Sequence, residues 1–148
     1  MTVRVRGILL AAGAVLLPAP ARAHHYRLQA GGFEGLALAP DPVQPATLYA
    51  GVFGQGVIKT TDTGETWTGS STGLPDLAVR ALLVDPADLR RLFAGTDSGV
   101  AVSTGGGRQW REAGLSARAE RVLLGEPAGT LYAGTEDGLY ATDDAGRT

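Results

Sequence analysis

Asp97 and Asp137 fall in the same loop of two copies of an internal repeat, two residues ahead of Gly99 and one ahead of Gly138. Two carboxylates carried by neighbouring units are the pairing that glycosidic cleavage requires, one to protonate the leaving oxygen and one to act across the sugar. An Asp close to a Gly also makes a tight turn with no chemistry in it, and both readings stand at this point. Phe53-Gly54-Gln55 and Glu136 fall at the same repeat position, so Phe53, Gln55, Asp97, Glu136 and Asp137 form the candidate ligand face. Trp67 and Trp110 can stack on a sugar or pack between repeats. An N-terminal His24-His25 can chelate copper through amine and imidazole; a solvated tail is the simpler reading. Arg80 and Arg121 sit at equivalent places, where each can line a central channel or pair with a carboxylate. The chain has no Cys, which excludes a disulfide framework, a thiol nucleophile and a cysteine zinc site. None of these residues is assigned as a catalytic group or metal ligand, and no cofactor is expected.

The densest motif is Thr60-Thr61-Asp62-Thr63-Gly64-Glu65-Thr66-Trp67. Its spacing dictates structural roles. Asp62 can accept hydrogen bonds from turn N–H groups, and Gly64 can take positive φ without steric cost. Trp67 can fold across the hairpin, burying on the order of 150–250 Å². Thr60 and Thr66 are expected to face each other across the two strands. Ser103-Thr104-Gly105-Gly106-Gly107-Arg108-Gln109-Trp110 repeats the pattern with Gly105 in place of the Asp, so that turn loses its side-chain clasp and rests on Ser103, Gly107 and Trp110. Thr142-Asp143-Asp144-Ala145-Gly146-Arg147-Thr148 is a third copy, with Thr142, Asp144 and Gly146 in the motif positions, and it ends one residue before its Trp.

The elements that carry these turns recur with them. Leu48-Tyr49-Ala50-Gly51, Leu92-Phe93-Ala94-Gly95 and Leu131-Tyr132-Ala133-Gly134 repeat one tetrapeptide at steps of 44 and 39 residues. Asp41-Pro42, Asp85-Pro86 and Glu126-Pro127 precede it. A step of about 40–45 residues, with four short strands in each copy, predicts an all-β chain of four-stranded antiparallel β-propeller blades. In the clearest copy the strands are Val79–Val84, Arg91–Thr96, Val100–Ser103 and Trp110–Glu112. The first copy gives Leu36–Ala39, Thr47–Val52, Val57–Thr61 and Thr66–Gly69. The third gives Val122–Leu124, Thr130–Thr135 and Leu139–Thr142. The boundaries are an outer-strand remnant at 24–32, blades at 33–73 and 74–114, and a partial blade at 115–148, about 2.5–3 blades against the ~4–8 of closed propellers. Tyr26–Gln29 is the candidate strand to complete the blade begun at Val122. In such a meander the box turns share one face with the first-to-second-strand turns, and the candidate ligand face lies opposite.

On the three box motifs in register, the chain resembles bacterial Asp-box (BNR) repeat β-propellers, the superfamily of sialidases, xyloglucanase-type glycoside hydrolases and photosystem II assembly-factor-like proteins. The resemblance covers about residues 33–148 and implies the fold. It implies no sialidase activity, because that family's Arg-Ile-Pro motif does not occur and no arginine matches its triad. The functional expectation is a non-catalytic binding or scaffold module for a protein or carbohydrate. The alternative is a piece of a sialidase- or xyloglucanase-like glycoside hydrolase.

Residues 1–23 read as a signal peptide: Arg4 and Arg6, an apolar run from Ile8 to Leu17, then Ala21-Arg22-Ala23. The run is shorter than the roughly 20 residues of a membrane span. A bacterial periplasmic or extracellular address follows, with no membrane attachment after cleavage. Without those residues, ten basic side chains face fifteen acidic ones, and the charges are scattered, which argues against a nucleic-acid partner. Because Thr148 falls inside the third box, the chain is expected to be a piece of a longer protein; a homodimer that exchanges outer strands is the alternative.

Overall fold

The computed structural model describes residues 9–11, 14–16, 36–114, 122–125 and 130–143. Its elements are all strands. β1 (Leu9–Ala11) and β2 (Ala14–Leu16) pair antiparallel within the apolar N-terminal run. The rest forms three consecutive meanders. The first contains β3 (Leu36–Pro40), β4 (Leu48–Val52), β5 (Gly56–Thr60) and β6 (Thr68–Gly69) in that spatial order. The second contains β7 (Val79–Val84), β8 (Leu92–Thr96), β9 (Gly99–Ser103) and β10 (Arg111–Glu112). The third holds β11 (Val122–Gly125), β12 (Leu131–Thr135) and β13 (Gly138–Thr142). All neighbours are antiparallel. β3 lies against β7 and β7 against β11, so the innermost strands stand side by side. The all-β class and the incomplete set of four-stranded blades are therefore present. Tyr26–Gln29 and Arg121 lie outside the described residues.

The two outer strands are shorter than the sequence suggests. β6 begins at Thr68 and β10 at Arg111, because the Thr66 N–H goes to the Asp62 carboxylate and the Trp110 N–H to Thr72 O of the preceding blade instead of to the ladder. The Asp-Pro landmarks are side-chain-closed turns. Asp41 Oδ1 accepts the N–H groups of Val43 and Gln44, both at 2.9 Å. Asp85 Oδ1 accepts the Ala87 N–H at 2.7 Å, and Arg91 Nε donates to its other oxygen at 2.6 Å.

The repeated tetrapeptide builds both faces of a blade, since successive side chains of a strand point to opposite sides. Tyr49, Val57 and Ala39 of the first blade pack on Leu82, Val84, Leu92, Ala94 and Ala101 of the second. Phe93, Val100 and Val102 on the other side of the second blade pack on Leu131 and Ala133 of the third. Leu and Ala thus face the preceding blade, and the aromatic faces the following one. The glycine sets the spacing: a Cβ at Gly51 would overlap Val79 Cγ1 of the next blade.

Candidate functional site

The first box turn is closed by one carboxylate. Asp62 Oδ1 accepts the Thr60 hydroxyl at 2.7 Å and the Thr66 N–H at 2.9 Å; Asp62 Oδ2 accepts the Thr66 hydroxyl at 2.6 Å. Thr60 and Thr66 therefore meet through Asp62 rather than facing each other directly. These bonds favour the ionised form and lower the Asp62 pKa from 3.8 to about 2, with the Thr66 hydroxyl the largest cause. Thr60 Oγ1 also accepts the Gly64 N–H at 3.0 Å, and Trp67 Nε1 donates to the Gly64 carbonyl at 3.2 Å. Gly64 has φ 95°, and Thr63 takes φ 62°, an uncommon conformation for a β-branched residue. Nothing in the motif pattern marks Thr63 as strained.

The second box works differently. Ser103 Oγ accepts the Gly107 N–H at 3.1 Å and the Gly105 N–H at 3.4 Å, with no carboxylate present. Trp110 is buried and sends its Nε1–H to the Ser70 carbonyl of the preceding blade at 2.6 Å, while its N–H reaches Thr72 O at 2.9 Å. Ser70 Oγ in turn donates to Gly107 O at 2.8 Å. The second box thus bolts two blades together, and Trp110 has no free ring face for a sugar. Trp67 is half-buried. In the third box Thr142 ends β13, while Asp144 and Gly146 lie outside the described residues, as do His24 and His25.

The opposite face carries the strand-joining loops. Phe53 is exposed at 39%, bridges to Ala78 of the next blade, and has the Arg80 guanidinium 4.8 Å from its ring centroid. Arg80 pairs with Asp97 through Nε to Oδ1 and through Nη2 to Oδ2 at 3.2 Å, a two-pronged contact at a site about 30% open to solvent. Phe53, Arg80 and Asp97 therefore form one continuous surface across two blades. Gln55 is exposed in the turn beside Phe53. Asp137 is exposed and donates its N–H to Thr135 Oγ1 at 3.2 Å, closing the loop that also holds Glu136. Repeat spacing singled out Phe53, Asp97 and Arg80, and of the two readings given for Arg80 the pairing with a carboxylate is the one present; that Arg80 also lies over Phe53 had no signal in the sequence. Among the described residues no cluster of His, Asp and Glu is arranged to hold a metal.

No family model and no curated protein matches the chain. Solved structures do. An ancestral GH74 enzyme superposes with a TM-score of 0.63 at 22% identity, over 86% of this chain and 19% of that one. The GH74 enzyme of Niastella koreensis gives 0.57 at 26% identity, over 77% and 22%. YCF48 from Cyanidioschyzon merolae gives 0.59 at 18% identity, over 82% and 40%. YCF48 bound to D1 peptide is also similar, with 0.54 at 15% identity over 87% and 44%. This chain spans well under two thirds of the length of each. The likeness is one of architecture, and it places the chain among β-propeller folds.

Proposed function

We propose that this chain is a non-catalytic propeller segment of an exported Asp-box protein, and that it binds its ligand on the face opposite the boxes. The observation that carries the reading is the Phe53–Arg80–Asp97 surface. An exposed ring with a guanidinium over it offers a stacking platform beside a planar donor set, suited to a sugar ring or a peptide. Both Asp97 oxygens are engaged by Arg80, which ties that carboxylate into the surface. The YCF48 chain seen with D1 peptide supports a binding role for this architecture. The similarity to the GH74 xyloglucanase of Xanthomonas campestris, with a TM-score of 0.58, supports the alternative of a hydrolase segment. The basic, apolar, small-residue order of residues 1–23 supports export.

Isothermal titration with a xyloglucan oligosaccharide and with an extended peptide tests the reading. Saturable binding of one probe is expected, weakened roughly tenfold in Phe53→Ala, the loss of about one stacking contact of 1–1.5 kcal/mol. Undiminished binding by Phe53→Ala would move the ligand elsewhere. Hydrolysis of the oligosaccharide that disappears in Asp97→Asn would establish the hydrolase instead.

A further inference from the structure

On the box face, between the first and second blades, lies a groove of about 330 Å³. Its walls include Lys59, the sole lysine of the chain, with Arg90 and Arg108. Lys59 Nζ sits 5.0 Å from the centre of the Tyr49 ring, and Tyr49 OH donates to Gly106 O at 3.3 Å, so the floor is held by both blades. The one carboxylate in the lining is Asp41, whose Oδ1 is occupied by two turn N–H groups. Three cations against one acid is an unusual local balance in a chain whose net charge is −2.

The repeat shows how that balance arises. The first blade has Ala46, Asp62 and Glu65 where the second has Arg90, Gly105 and Arg108. The correspondence is structural as well as numerical: Thr63 N–H bonds Ala46 O at 3.0 Å, and Gly106 N–H bonds Arg90 O at 2.8 Å. Two acidic positions are lost and two basic ones gained. The missing box Asp is not demanded by the backbone. Gly105 is not in the left-handed region, and a Cβ there would meet only Arg108 Cβ, at 3.7 Å. An Asp at 105 would fit, would stand beside the Ser103 hydroxyl as Asp62 stands beside Thr60, with Gln109 in place of the Thr66 hydroxyl, and would put a negative charge at the groove.

We propose that this groove is a binding site for an oxyanion, a phosphate or carboxylate group of a small ligand, held by Lys59, Arg90 and Arg108. Guanidinium groups match the planar, two-oxygen geometry of either anion. The volume suits a small molecule rather than a polymer. The site is on the opposite face from the Phe53 surface and stands independently of what binds there.

Titration of the full chain with inorganic phosphate and with malonate, followed by calorimetry and amide chemical shifts, tests the proposal. One saturable site is expected, with shifts at Lys59, Arg90, Gly105 and Arg108. Arg108→Ala should weaken it roughly tenfold through loss of one charge-assisted contact. Gly105→Asp is the decisive variant: it should abolish binding while leaving the melting temperature unchanged or higher. Stronger binding of phosphate points to a phosphate ester, and of malonate to a carboxylate. No saturable uptake of either anion by the wild-type chain, or an affinity that Gly105→Asp and Arg108→Ala leave unaltered, overturns the site.

Discussion

Asp62 carries a titration with a direct structural readout. Its pKa lies near 2 in the folded chain against an ordinary value of 3.8. A depressed folded value means that the ionised clasp stabilises the hairpin above about pH 4 and loses that contribution as pH falls towards 2. The protection factor of the Thr66 amide, which Asp62 Oδ1 accepts at 2.9 Å, should therefore fall over that window once the intrinsic pH dependence of exchange is divided out. In Asp62→Asn the same amide should exchange faster at neutral pH and show no acid transition. The Gly107 amide, held by the Ser103 hydroxyl, supplies the internal control, because no carboxylate closes that turn. An acid transition of equal size at both amides would mean that the whole molecule is unfolding.

Among the elements, β4 and β7 show what the Leu-aromatic-Ala-Gly repeat encodes. Gly51 is buried against Val79, and a methyl group there must push the second blade away. Gly51→Ala should cost about 1–3 kcal/mol in urea unfolding, the usual range for overpacking. Gly69, with open space around its Cβ position, should tolerate Ala far better. A Gly51→Ala chain as stable as wild type would mean that the blades are not rigidly seated. The strands themselves were legible because a short period, turn residues and alternation all agree in each copy. Less legible were the contacts between blades. Periodicity places Trp67 and Trp110 as equivalents, yet Trp67 bonds its own turn and Trp110 bonds Ser70 of the previous blade. It likewise isolates Phe53 and Asp97 without showing that Arg80 spans them. Side-chain reach across a blade interface depends on three-dimensional stagger, which a one-dimensional repeat does not carry.

At the scale of the three described blades, the outward faces of the first and the third are complementary. The face that meets the following blade is covered at Val57 and Val100, but the equivalent Leu139 of the third blade is 74% exposed. The face that meets the preceding blade buries Leu82, whereas the equivalent Leu38 of the first is 52% exposed. Each internal interface joins one kind of face to the other, so the outward faces of this chain fit each other head to tail. Repeat arrays generally need polar terminal faces to stay apart in solution, whereas among the described residues the outward faces of the first and third blades expose Leu38 and Leu139. At micromolar concentration the 148-residue chain should therefore self-associate, with sedimentation velocity showing a concentration-dependent mass. Removing one buried leucine contact is worth roughly 1.5–3 kcal/mol, so Leu139→Asp should weaken association about ten- to a hundredfold. Leu38→Asp should do the same from the opposite face, because the equivalents of both residues, Val57 and Leu82, lie in one buried cluster at the internal interface. A wild-type chain that stays monomeric across that range would show that the outward faces are not the equivalents of the buried ones.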